Sequence, residues 1–140
     1  MRSTSSHPLA LAAAVLALLA VGCTSTTHVN FQAPPGTVMF VDGTPHHLPG
    51  GIDFSRPNTA GESKNHPVRL IATVNNQELR AVGDMVVYGF TESDMDKTAI
   101  NTCILDEQNL SRLFDPSQKV VFRGESASRQ PLYDLSLKKQ

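Results

Sequence analysis

Tryptophan is absent from this chain, and tyrosine occurs only at Tyr88 and Tyr133. Sugar-binding surfaces lean on flat aromatic platforms, and little here supplies them. A basic excess is also missing: 12 Lys and Arg stand against 13 Asp and Glu. Nucleic-acid binders carry a basic patch or stripe, so nucleic acid is excluded as a partner. Two cysteines are too few for a disulfide-stapled miniprotein. No uncharged apolar run reaches the about 20 residues that a membrane-spanning helix needs. There is no Gly-x-Ser-x-Gly elbow, no P-loop and no His-Glu-x-x-His pair. The sequence therefore points to no enzyme and calls for no cofactor. With 40% hydrophobic and 18% charged residues, the chain is too apolar to be disordered throughout. Its 140 residues suit one domain.

The N-terminus reads as an address. Arg2 precedes an uncharged run over 9–21, which has the length of a signal-peptide apolar region, about 7–15 residues. Small residues then lead into a cysteine, Ala20-Val21-Gly22-Cys23. This junction resembles the lipobox of bacterial lipoproteins. The resemblance implies cleavage before Cys23 and acylation of that residue, with the membrane as a partner. One acyl chain binds a bilayer only marginally, whereas two or more hold stably. Thr24 stands where aspartate would signal retention at the inner membrane. The resemblance thus favours the outer membrane of a bacterial envelope, with the domain facing the periplasm and the inner membrane as the alternative. Residues 1–22 are expected to be a signal peptide, 23–33 anchor and polar tether, and 34–140 a single β-rich domain. Cys103 is then left without an intrachain partner. Ile100, Ile104 and Leu105 flank it, the setting of a buried, inert thiol.

Most of the remaining prolines and glycines crowd into 34–67. Strands tolerate neither well, so 50–66 is expected to be a long loop, pinned at its start by Ile52 and Phe54. Before it, 38–41 is apolar on both strand faces and reads as a strand buried on both sides. Asp42-Gly43 is a turn signal. Beyond it, Val68, Leu70, Ala72 and Val74 recur with period two, a strand. Asn75-Asn76 turns the chain, 77–82 returns, Gly83-Asp84 suits a second hairpin turn, and 85–90 is the next strand. The 91–105 stretch fits helical spacing, yet its β-branched residues lean it to strand. A short helix over 106–114 has Asp106 as N-cap, a Leu110, Leu113, Phe114 stripe, and Pro116 as its stop. Strands at 119–123 and 132–137 complete a mainly β chain. The expected fold is a small antiparallel β-sandwich or barrel-like domain with one short helix.

The stretch 33–45 reads Ala-Pro-Pro-Gly-Thr-Val-Met-Phe-Val-Asp-Gly-Thr-Pro. It resembles the opening of a PEGA-type domain, with Pro35-Gly36, a buried strand ending in Asp42-Gly43, and Thr44-Pro45 following without that family's usual spacer. The resemblance implies a small β-sandwich of the bacterial envelope, an interaction module without catalysis.

Few residues offer chemistry. Asp42, His46 and His66 are the candidates for a metal site, with His28 able to join them, and such a site needs three or four ligands. His46 and His47 are adjacent on a strand and so point to opposite faces. The acidic cluster 92–96 fails as an EF-hand, because Ala99 and Leu105 replace the required glycine and glutamate. Asn109-Leu110-Ser111 has the form of a glycosylation sequon, which a bacterial setting makes irrelevant. The reading that remains is a lipid-anchored envelope interaction or structural protein, an accessory subunit of a larger assembly. Its contact with a protein partner is expected from the 34–67 loop, with Ile52, Phe54 and Arg56 as interaction candidates, or from an exposed strand edge. The alternative is a small-ligand or metal-binding periplasmic lipoprotein using Asp42, His46, His47 and His66.

Overall fold

A computed structural model describes residues 25–90 and 101–140. The strands in chain order are β1 (Ser25–Gln32), β2 (Thr37–Val41), β3 (Thr44–Leu48), β4 (Gly50–Arg56), β5 (Ser63–Val74) and β6 (Gln77–Tyr88). After them come β7 (Thr102–Ile104), helix α1 (Glu107–Ser111) with a 3-10 turn at Arg112–Phe114, then β8 (Lys119–Glu125) and β9 (Pro131–Lys139). They form a six-stranded antiparallel sheet, ordered β3-β2-β5-β6-β9-β8, and a three-stranded sheet, ordered β4-β1-β7. The fold is mainly β and sandwich-like, as the alternating sequence pattern requires.

The core lies between the sheets. The larger sheet contributes Met39, Leu70, Val74, Ala81, Met85, Val87 and Leu135, all inaccessible to solvent. Val29, Phe31, Ile52 and Phe54 face them from the smaller sheet, and Leu105, Leu110 and Leu113 close one side. Each of these side chains larger than Ala81 contributes about 1.5–3 kcal/mol when fully buried.

Turn chemistry fixes two registers. Asp42 and Gly43 have φ of 50° and 85°, and Asn75 and Asn76 have 53° and 64°. Two consecutive left-handed residues are the signature of a type I′ hairpin, whose twist matches that of its strands. Asp106 caps α1 by accepting from the Asn109 backbone N–H at 2.7 Å.

Several expectations fail for identifiable reasons. Residues 50–66 are not a long loop: β4 and the start of β5 occupy most of them, leaving a turn at 57–62. Ile52, Phe54 and Arg56 are the inward set of β4, alternating with Gly51, Asp53 and Ser55. Pro67 is accommodated inside β5 because its carbonyl accepts from Asp42 N, just past the end of β2. A strand residue's N and C=O point to the same side, so the missing N–H of Pro67 faces the end of β2 and costs the β5–β6 ladder no bond. Residues 25–32, expected within a polar tether, form β1, the central strand of the smaller sheet, with Thr27, Val29 and Phe31 buried. The buried threonine hid that alternation. The stretch 38–41 is not buried on both sides, since Val38 and Phe40 are only half-buried.

Gly83-Asp84 makes no hairpin either, and β6 runs through it. A Cβ on Gly83 would lie 1.7 Å from the Ser136 carbonyl oxygen of β9, so glycine there answers a close backbone approach rather than a turn. In the ambiguous stretch 91–105, Thr102–Ile104 is a strand, whereas 91–100, with the acidic cluster 92–96, lies outside the described residues.

Candidate functional site

Asp42 and His66 do come together. Asp42 lies in the β2–β3 turn and His66 on β5, and His66 Nδ1 sits 2.7 Å from Asp42 Oδ2. His66 Nε2 lies 2.8 Å from the Ser55 carbonyl oxygen of β4. The ring is only 3% exposed and packs edge-on to Phe54, with centroids 5.6 Å apart. Both ring nitrogens lie within hydrogen-bond distance of an oxygen. His66 therefore ties the large sheet to the small one, with both nitrogens engaged within the protein.

The other candidates are elsewhere. His46 and His47 lie on β3 opposite Met39 and Val38, and so on opposite faces of an edge strand. His28 pairs with Asp53 across the outer face of the small sheet at 2.6 Å, and Asn30 lies 3.1 Å from its other nitrogen. The hydrogen bond to Asp53 is the chief reason that the His28 pKa is raised above its ordinary 6.5. Among the described residues, no group of three His, Cys, Asp or Glu side chains is placed to hold a metal ion.

Ile52, Phe54 and Arg56 are not surface residues. They are 2%, 1% and 5% exposed, so the contact expected from them is corrected: they build the core. Arg56 donates to the Phe90 carbonyl at 3.0 Å and lies 4.0 Å from the centre of the Phe90 ring. A guanidinium held over an aromatic ring and bonded to backbone is a stable way to bury that charge. Cys103 is buried on β7. Loss of solvent pushes its thiol up to about 11, opposed by a hydrogen bond with Tyr133. That is the opposite of an activated nucleophile. Cys23 lies outside the described residues.

The two outward faces of the sandwich differ. The small sheet presents Thr26, His28, Asn30, Gln32 and Asp53, all exposed and polar, with Ile104 at its β7 edge 55% exposed. The six-stranded sheet presents half-buried Val38, Phe40, Ile71, Val82 and Val86, with Val121 40% exposed. Cross-strand pairing sets Val38 opposite Ile71 and places Phe40, Arg69 and Val82 in one row, while Val86 lies between Asn65 and Asp134 and Val121 opposite Ser136. The Arg69 guanidinium covers the Phe40 ring at 4.4 Å. At one margin Tyr88 donates to Asp134 at 2.5 Å, and Arg123 lies 3.5 Å from the same carboxylate.

Sequence reasoning passed over this face because each residue looks like ordinary strand filler. The signal that could have found it was present in 38–41 and 68–74. There the positions between the core residues are Val38, Phe40 and Ile71 rather than uniformly polar. An antiparallel sheet with one solvated face normally alternates apolar-in and polar-out.

Comparison with known proteins leaves these residues to speak for themselves: no family model matches the chain, and neither does a curated protein or a solved structure.

Proposed function

We propose that this protein is a lipid-anchored, non-catalytic interaction subunit of a bacterial cell envelope. It is held to the membrane through Cys23 and docks a protein partner on the outer face of its six-stranded sheet. The observation that carries the docking half is the contrast between the two outward faces. Apolar side chains grouped on an outward face mark interaction sites, and here Val38, Phe40, Ile71, Val82, Val86 and Val121 share the face of the larger sheet, against Ile104 on that of the smaller one. The anchoring half rests on the lipobox-like junction at Cys23 and on the apolar run before it. The outer membrane, periplasmic side, is the favoured location because Thr24 follows the cysteine.

The test is site-directed photocrosslinking of the full-length protein in cells. A photoreactive aromatic residue at Val86 is expected to yield a discrete adduct. The same residue at Thr26, on the polar sheet, is expected to yield none. The Val86 adduct should disappear in Cys23→Ala, which cannot be acylated. Equal labelling from both positions would end the docking assignment. An adduct indifferent to Cys23→Ala would end the anchored one.

A further inference from the structure

The first residue of β1 already belongs to the folded domain. Ser25 pairs with Arg56 in the β1–β4 ladder, and its hydroxyl donates to the Asn58 side chain. Two peptide units separate it from Cys23, a reach of at most about 7 Å. If Cys23 carries the acyl chains, the tether is too short to let the domain swing away.

Ser25 also identifies which end of the sandwich the tether holds. Asn58 lies in the 57–62 turn. The Gly89 backbone N–H donates to Glu62 O at 2.8 Å at the end of β6. Ala60, Gly61, Tyr88, Gln130 and Pro131 line one shared hollow of about 250 Å³. The 57–62 turn and the 126–130 turn between β8 and β9 therefore form one end of the molecule, beside Ser25. The hairpin turn at Asn75-Asn76 and the chain terminus at Gln140 lie at the other, since Gln140 N donates to Arg80 O. The twelve-residue β5 runs between the ends, about 36 Å at 3.3 Å per residue.

We infer that the 57–62 and 126–130 turns form a membrane-facing surface, resting on the lipid headgroups of the bilayer that holds Cys23, with the strands standing away from it. This rests on the anchored reading above and deepens it. Among the described residues, those exposed in these two turns are mostly small or uncharged, including Asn58, Thr59, Ala60, Ala127 and Ser128, with Glu62 and Arg129 the charged ones. Zwitterionic headgroups can cover such turns, since Arg129 can meet a lipid phosphate and Glu62 a headgroup ammonium. The six-stranded face then stands as a wall alongside the bilayer, open to a partner approaching laterally.

The test uses full-length protein in phosphatidylethanolamine–phosphatidylglycerol vesicles that contain a headgroup spin-labelled lipid. A fluorophore is placed at Asn58→Cys, Ser128→Cys or Asn76→Cys, with buried Cys103 as background. Quenching at 58 and 128 is expected to exceed that at 76 by at least twofold. A ten-residue Gly-Ser insertion between Thr24 and Ser25, spanning about 17 Å on average, should remove the difference. Acylated protein that quenches equally at all three positions would overturn the orientation alone. So would a difference that survives the insertion, since it would not arise from the short tether. Protein whose N-terminal peptide shows no acyl mass and which fails to float with vesicles would overturn the anchored reading, and the orientation with it.

Discussion

The ring of buried His66 on β5 meets the Asp42 carboxylate of the β2–β3 turn at 2.7 Å, while its other nitrogen meets Ser55 O on β4. One side chain thus links a hairpin turn and two sheets. Removing it leaves a vacated volume against Phe54 and a carbonyl without its donor. His66→Ala is expected to cost about 2–4 kcal/mol, by hydrogen-bond and cavity terms together. Asp42→Asn keeps a side-chain acceptor and a residue that tolerates φ of 50°, so about 1 kcal/mol or less is expected. Urea unfolding of the two variants beside wild type checks both magnitudes and their order.

Gly83 and Ser136 supply a second stability test. A Cβ at Gly83 would fall 1.7 Å from the Ser136 carbonyl oxygen, which is backbone and cannot rotate away. Gly83→Ala must push β6 and β9 apart, and a loss of about 3 kcal/mol or more is expected. Gly61→Ala, also at a glycine but with open space around it, strains only its φ of 89° and should cost about 1–2 kcal/mol. If thermal melts showed the two variants equally affected, the close-approach account of Gly83 would fall.

These residues also show what could be read from the sequence. Asp42-Gly43, Asn75-Asn76 and the Asp106 cap act within a few residues, so their local chemistry predicted the observed turns and helix start. The same local grammar misplaced a hairpin at Gly83, because the reason for that glycine lies 53 positions away along the chain, at Ser136. The β4 strand was hidden by its glycines and by Arg56, a charge that points inward, where the Phe90 ring and carbonyl receive it. The Asp42–His66 meeting could be named as a candidate from residue type. Its character as a joint rather than a ligand set depends on Ser55 O, a backbone atom that sequence does not position.

Cys103 should behave as an inert thiol. Burial pushes it up to about 11, so at pH 8 almost none is thiolate. As a raised acid group, its protonated form contributes stability that is present below the ordinary thiol value near 9 and lost as the pH rises through about 11. A thiol reagent at pH 8 is expected to leave Cys103 unmodified in folded protein and to modify it rapidly in denaturant. Mass measurement of protein quenched at intervals gives both rates, and fast labelling of the native state would contradict the burial.

His28 titrates in reach of ordinary solution measurements. The hydrogen bond to Asp53 raises its pKa, with Asn30 adding to the effect. The protonated ring is favoured in the folded state, so any stability gained is fully present below about 6.5 and fades as the pH rises through the folded value. Both partners are well exposed, which keeps that gain small. In a proton NMR titration His28 should show a midpoint above 6.5, and Asp53→Asn should bring it back toward 6.5. An unchanged midpoint in the variant would remove Asp53 as the cause.

Met85 and Val86 separate fold from docking within two adjacent positions. Met85 is fully buried between the sheets, and Val86 lies half-buried on the outward face. A lysine at 85 would carry an ammonium into the core, and Met85→Lys is expected to prevent stable folding. Val86→Lys places its charge in solvent next to Asp134, its cross-strand neighbour, so stability should move by no more than about 1 kcal/mol. A partner seated on that face would instead meet a new charge within an apolar contact, where a desolvated and unpaired ammonium weakens binding sharply. With the photoreactive residue held at Val82 on the same face, Val86→Lys should remove the partner adduct while the melting transition stays near that of wild type. An adduct that survives the charge would place the partner elsewhere on the molecule. A variant that loses both the adduct and the fold would show that residue 86 serves packing, and Val121→Lys at the exposed margin would then be the test of the same face.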